Sequence, residues 1–239
     1  MSVLRETLPG GILRLTMDRP KAANALDRDL QESLMALLAE AGRDASVRAV
    51  LLAGAGGRVF SAGADLREIL HEDPAEARVV RRNLLMGTLL AVLDCPRPVI
   101  SVVRGKAVGG GGMLALLADE LLMESGASIS MPEIALGMAS PIGVSVVAAR
   151  GGRNAAHALL QAGEAMDAKA AIAAGLADAV HADDTLDEAA IARAEKLGAF
   201  DPDAFAANKA WMNAPLREAL LRAAEAAGRT TMGAPANAT

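Results

Sequence analysis

Residues 104–120 read RGKAVGGGGMLALLADE, so four consecutive glycines separate a β-branched run from an apolar run of helical length. Glycine is costly to order, by about 0.5–1 kcal/mol relative to alanine inside a helix or strand. Four in a row mark a place where the backbone turns sharply, or where something approaches it more closely than a Cβ would allow. The run that follows, MLALLA, has no polar face, and such a helix is stable only when it is covered all round. A strand leading in and a buried helix leading out are the minimum this segment imposes.

A glycine-rich strand-to-helix turn can cradle a phosphate, aim backbone N–H groups at a developing oxyanion, or simply permit close packing. The P-loop pattern is missing, because Met-Leu-Ala follows the glycines where Lys and Ser/Thr would be needed. The dinucleotide fingerprint is missing too, in spacing and in its downstream acid. On this stretch alone close packing is favoured. A second such turn, FSAGADL at 60–66, brings the oxyanion alternative forward: two helix N-termini with free N–H groups can point at one oxygen.

The rest of the chain reads as repeated strand-and-helix units. GILRLTM is a strand, Pro20 interrupts it, and Asp27 caps a helix over about 28–41. VRAVLLAGAG is a buried strand, SAGADLREIL turns into a short helix, and a polar helix spans about 75–93. RPVISVVRGKAV is one β-branched strand; ELLMES and ASISMPEI are short strands. PIGVSVVAARGG is a helix begun by proline and ended by glycine, and GRNAAHALLQAG and DAKAAIAAGLADAV are short helices. From residue 184 the pattern is helical only: TLDEAAIARAEKLGAF, PDAFAANKAWMNA and PLREALLRAAEAAG, then a small polar tail expected to fray. The fold class is α/β, with a core over 1–183 and a helical C-terminal region over 184–239.

Composition narrows the function. With 52% hydrophobic residues in 239 the chain can bury a sizeable core, and a dispersed net charge of −5 suggests no polybasic surface for nucleic acid or membrane. Three Phe, one Trp and no Tyr provide no base-stacking platform. A single cysteine, Cys95, excludes an intrachain disulfide and reads as an apolar filler. His71, His157 and His181 are scattered, so no metal site is expected. The opening MSVLRETLPGG has no apolar signal-peptide core, and the expectation is a cytoplasmic protein.

Four motifs in order, MDRPKAANAL, VRAVLLAGAGGRVFSAGADLREI, PRPVISVVRGKAVGGGGMLALLADELLM and ISMPEIALGMASP, resemble the crotonase family, also called the enoyl-CoA hydratase/isomerase family. The resemblance covers roughly residues 3–213. It implies a spiral of repeated ββα units with C-terminal helices that build a homotrimer or a dimer of trimers. It implies an acyl-CoA thioester as substrate, with coenzyme A present only as part of that substrate and no permanent cofactor. The thioester oxygen would lie between the N–H groups of Ala64 and Gly110, each such donor lowering a barrier by roughly 3 kcal/mol. Coenzyme A contacts carry over to Lys21, Ala22, Ala62, Ala64, Asp65, Leu66 and Gly110, with Arg19 and Lys21 either meeting its phosphates or remaining solvated surface charges. Asp65 is equally readable as an acid at a helix start.

Hydratases of the family use two glutamates. Met113 occupies the first position and cannot transfer a proton; Glu133, in MPEI, occupies the second. Asp119 and Glu120 read as strand-entry or capping residues, while Glu68 and Glu72 remain candidate replacement acids. PEIALGMASP is also similar to the mitochondrial isomerase branch. The resemblance therefore implies isomerisation of 3-enoyl-CoA to 2-enoyl-CoA, with Glu133 as the single acid/base. Hydration with a replacement acid, thioester hydrolysis, decarboxylation and non-catalytic acyl-CoA binding are the alternatives.

Overall fold

The computed structural model describes residues 2–65, 67 and 74–230. The expected short helix after the FSAGADL turn, including Leu66, Glu68 and Glu72, and the tail 231–239 lie outside the described residues.

The chain begins with a hairpin that the sequence pattern only half announces. β1 (Val3–Leu8) pairs antiparallel with β2 (Ile12–Met17), Val3 opposite Met17. Only β2 has a regular buried face, and this is why periodicity missed β1. Asp27 then caps α1 (Arg28–Arg43), its carboxylate accepting the Leu30 N–H at 2.9 Å. From β3 (Ala49–Gly54) onward each unit sends one strand to each of two sheets before its helix. The units are β3, β4 (Val59–Ser61) and α2 (Pro74–Leu93); then β5 (Val99–Val103), β6 (Lys106–Val108) and α3 (Gly110–Leu116). The third is β7 (Glu120–Glu124), β8 (Ser128–Ser130) and α4 (Pro141–Ala156). Two short strands, β9 (Met166–Asp167) and β10 (Ala179–His181), flank α5 (Ala168–Ala173), and α6 (Asp183–Gly198) and α7 (Pro202–Thr230) complete the chain.

The larger sheet runs β1-β2-β3-β5-β7-β10 and the smaller β4-β6-β8-β9. The expected single strand RPVISVVRGKAV is therefore two strands in two sheets. Gly105 makes the break at φ +60, and a Cβ there would overlap the Arg58 carbonyl oxygen. One apolar cluster joins the larger sheet to α1–α4, and a second joins its other face to Leu186, Ala190 and Ala194 of α6. Covered on both faces, β5 is buried throughout, which explains a sequence that is β-branched at every position but Ser101.

The glycine stop is present inside the α4 span: Gly152, at φ +75 and ψ −177, breaks the helical path begun at Pro141, and a second helical stretch runs on into a π-turn over His157–Gln161. Two further expectations change. DAKAAIAAGLADAV is only half helical, because its end is drawn to the sheet edge, where Ala179 stands opposite Leu122. Pro215 does not divide the C-terminal helices; α7 runs through it. An internal proline costs about 3 kcal/mol, and the packing of α7 on α4 and α2 offsets it.

Polar ties fasten α7 as well. Lys209, with 4% of its side chain exposed, donates to Asp119 Oδ2 at 2.7 Å and to the Arg97 carbonyl at 3.2 Å. Asn213 donates to the Leu93 carbonyl. Replacing Lys209→Met would leave Asp119 with the Val99 N–H as its remaining donor. A stability loss of about 3 kcal/mol is expected, read as a lowered urea midpoint with unchanged slope.

Candidate active site

The loop carrying Ala64 is held by backbone pairing. Leu26 and Ala64 form a parallel bridge, with the Leu26 N–H donating to the Gly63 carbonyl at 2.7 Å and the Asp65 N–H to the Leu26 carbonyl at 3.3 Å. The pairing skips the Ala64 N–H, which has no acceptor among the described residues. Asn24 supports the partner strand from within: fully buried and at φ +51, it donates to the Ala55 and Val59 carbonyls and accepts the Arg19 N–H. Asparagine is one of the few side chains that tolerate that backbone region.

Each of the four glycines has its own duty. Gly109, at φ +51 and ψ −122, occupies a region essentially closed to other residues and sends its N–H to the Ser130 carbonyl. Gly110 opens α3, and its N–H likewise has no acceptor among the described residues. A Cβ on Gly111 would stand 2.6 Å from Ser61 Cβ and from the Ser61 carbonyl oxygen, and one on Gly112 3.0 Å from Met131 Cε. Close packing and the free donor are thus both present, at different positions. The two loops touch: a Cβ on Gly63 would lie 3.2 Å from the Gly110 nitrogen. The unbonded N–H groups of Ala64 and Gly110 therefore belong to adjoining turns.

Glu133 reaches the same place. It follows Pro132 and leads the 3-10 turn Ile134–Leu136. Its Oε1 lies 3.2 Å from the point a Cβ on Gly109 would occupy. Its Oε2 is buried and has no hydrogen-bond partner among the described residues. Burial pushes the carboxyl above the usual glutamate range, and its own backbone N–H pulls it the other way. A buried carboxylate oxygen without a donor is destabilising, and such groups cluster at functional sites.

Met113 lies on α3 with 2% of its surface exposed. Its methyl carbon would be 2.8 Å from a Cβ on Gly143, a point that Ser140 Oγ and Leu160 Cδ1 also approach. The thioether is packed against the start of α4. Asp119 and Glu120 are structural, tied to Lys209 and to Arg193 respectively.

The residues expected to meet coenzyme A divide. Ala62 and Ala64 are exposed and Ala22 is half-buried. The Asp65 side chain, 4% exposed, is bonded to Arg19 and Arg67, which leaves its backbone for any ligand contact. Arg19 is neither a solvated charge nor a free phosphate partner, a role that a lone basic loop residue does not reveal in sequence. Lys21 is exposed and lines a groove of about 630 Å³ with Arg58 and Lys106, and none of the three forms an ion pair among the described residues. A second groove, of about 560 Å³, opens between α4 and α7, walled by Ile134, the residue after Glu133, and by Met138, Val144, Leu160 and Ala223. Met138 lines this groove, whereas Met86 is core and Trp211 is 84% exposed.

Substituting Gly111→Ala would drive α3 and β4 apart. An overpacking cost of about 1–3 kcal/mol is expected, measurable as a lower unfolding midpoint, together with loss of whatever both turns bind.

Comparison with known proteins identifies the family. A sequence model described as enoyl-CoA hydratase/isomerase matches residues 7–237. A probable enoyl-CoA hydratase of Rhizobium meliloti (strain 1021) is 35% identical over 203 residues, 84% of this chain and 77% of that protein. A carboxymethylproline synthase of Pectobacterium carotovorum subsp. carotovorum is 31% identical over 201 residues, 84% of this chain and 80% of that one. Among solved structures, the enoyl-CoA hydratase from Bacillus anthracis superposes with a TM-score of 0.85 at 27% identity, covering 98% of this chain and 92% of the other. The chain belongs to the enoyl-CoA hydratase/isomerase family.

Proposed function

We propose that this family enzyme isomerises 3-enoyl-CoA to 2-enoyl-CoA with Glu133 as its single proton carrier. The observation that carries the reading is one buried carboxylate oxygen, without a partner among the described residues, beside the glycine turn; the resemblance, which puts Met113 at the family's other acid position, supports it. The thioester oxygen sits between the Ala64 and Gly110 N–H groups. Glu133 takes a proton from C2, and the electron pair delocalises over C1 to C4 as a dienolate whose charge rests on that oxygen. The protonated Glu133 returns the proton at C4, leaving the double bond between C2 and C3. No atom is gained or lost, so one group that alternates between base and acid suffices. A carboxylate raised in basicity by burial is better matched to a weakly acidic carbon. The coenzyme A part follows the turns of Ala22, Ala62 and Ala64 toward the Lys21 groove, and the acyl chain enters the groove between α4 and α7.

Hydration is the second reading, favoured by the hydratase names of relatives such as the Rhizobium meliloti protein. It requires a second acid, and Glu68 and Glu72 are its candidates. Assaying 3-enoyl-CoA and 2-enoyl-CoA on one preparation separates the two. The expected result is isomerisation with hydration at least about 100-fold slower, the scale of a lost acid–base group. Faster hydration would replace the isomerase reading. Glu133→Gln should lower isomerisation by about 10³-fold while acyl-CoA binding persists. Because the base must be ionised and its pKa is raised, the wild-type rate should climb with pH through a limb above the ordinary glutamate value of about 4.3.

The same reading extends to assembly as a homotrimer or a dimer of trimers, supported by Trp211 and Met212, 84% and 77% exposed on α7. Light scattering should give a multiple of three chains, and a monomer would refute it.

A further inference from the structure

Arg19 makes more contacts than a loop cation needs. Its Nη1 donates to the Ala25 carbonyl at 2.5 Å and to Asp65 Oδ2 at 3.1 Å. Its Nη2 reaches the same Asp65 oxygen at 3.1 Å and Asp27 Oδ2 at 2.8 Å. Asp27 is the cap of α1, Ala25 precedes the bridge residue Leu26, and Asp65 directly follows Ala64. One guanidinium therefore ties together the first turn of α1, the bridge strand and the loop carrying the unbonded N–H. Arg67, 67% exposed, holds Asp65 from the outer side. Hydrogen bonds from Arg67 first, and then from Arg19, keep the Asp65 carboxyl below its ordinary range despite burial.

The Ala64 N–H needs this support. It points out of a bridge of two hydrogen bonds, one of them 3.3 Å long, between two irregular segments. Ahead of the bridge the segments are also joined by the Ala62 N–H donating to the Ala23 carbonyl and Ser61 Oγ to the Asn24 carbonyl, whereas beyond Ala64 the side-chain ties to Asp65 come from Arg19 and Arg67. A donor acts on a transition state only if its direction is held before the charge develops, and a misplacement of about 1 Å can cost roughly 10²-fold in rate. Arginine suits the task because its planar fork satisfies acceptors on several sides at once, whereas a lysine ammonium is a single point donor.

We propose that Arg19 is a positioning residue: through Asp65, Ala25 and Asp27 it orients the Ala64 N–H toward the thioester oxygen without itself touching the ligand. The inference rests on the assignment of Ala64 and Gly110 as the oxygen's donors, but not on which reaction follows.

The test uses butanoyl-CoA labelled with carbon-13 at the thioester carbonyl, a saturated ester that cannot isomerise. Its carbonyl stretch is recorded by difference infrared spectroscopy on the full-length wild type and on Arg19→Ala, Arg19→Lys and Asp65→Asn. In the wild type, two donors should move the bound band below that of free ester. In Arg19→Ala the bound band should return toward the free position, and kcat on 3-enoyl-CoA should fall about 10–100-fold, with the butanoyl-CoA dissociation constant changed less than about threefold. Arg19→Lys should recover part of both. Should Arg19→Ala not fold, Asp65→Asn, which keeps the side chain's shape and removes its charge, should show the same movement in smaller degree. A band and kcat unchanged in these variants would overturn the proposal. So would weakened binding with the bound band still shifted, because Arg19 would then be a direct partner of the coenzyme A phosphates. A wild-type band identical to free ester would instead overturn the assignment of the two donors, and the positioning role would fall with it.

Discussion

Where the Ala64 loop meets the glycine turn, backbone faces backbone with no side chain between. Gly63 lies against the Val108 carbonyl, Gly111 against Ser61 and Gly105 against the Arg58 carbonyl, each approach closer than a Cβ permits, and Gly63 also adjoins the Gly110 nitrogen. These contacts bring the smaller sheet against the start of α3 and leave two N–H groups without an acceptor among the described residues. They also explain why the chain departs from one sheet at Gly105 and enters the other, the step repeated in each unit. Had any of the three faces carried a methyl group, the turns would separate and the two donors would no longer adjoin.

The chemistry set over this contact is asymmetric. On one side Glu133 holds an oxygen in a buried place with no donor, and that environment raises its affinity for a proton. On the other, Met113 fills volume against Gly143, Ser140 and Leu160 and has no proton to transfer. Other acids on neighbouring elements are occupied: Asp119 by Lys209, Glu120 by Arg193, Asp65 by Arg19 and Arg67. Around this point, then, most polar groups are satisfied for stability, while the Glu133 Oε2 and the Ala64 and Gly110 N–H groups have no partner among the described residues. An enzyme site is built from the latter.

Much of this was legible in the residues. Asp27 as the cap of α1, the buried β5 and the all-apolar α3 follow from local pattern, because capping and burial leave marks within a few positions. The glycine turns and PE segment were legible only together, as a set in order. Other features were not. Pro215 argues for a helix break, yet α7 continues, since packing on α4 and α2 outweighs a local cost. RPVISVVRGKAV has one uniform composition, yet Gly105 divides it because a carbonyl 47 positions earlier in the chain stands in the way. Arg19 looks like any loop cation until Asp65, far along the sequence, is brought beside it.

By itself, then, the sequence determined which groups are available: one glutamate after a proline, a methionine directly after the glycine run, and two glycine-bearing turns. These are properties of covalent structure and survive any change of packing. The tertiary structure decided which groups are left without partners. That depends on burial and on distance between segments remote in the chain, so no local pattern encodes it. Glu133 and Asp119 are both carboxylates in short connecting segments. What separates them is that a lysine from α7 arrives at one, and none of the described residues arrives at the buried oxygen of the other.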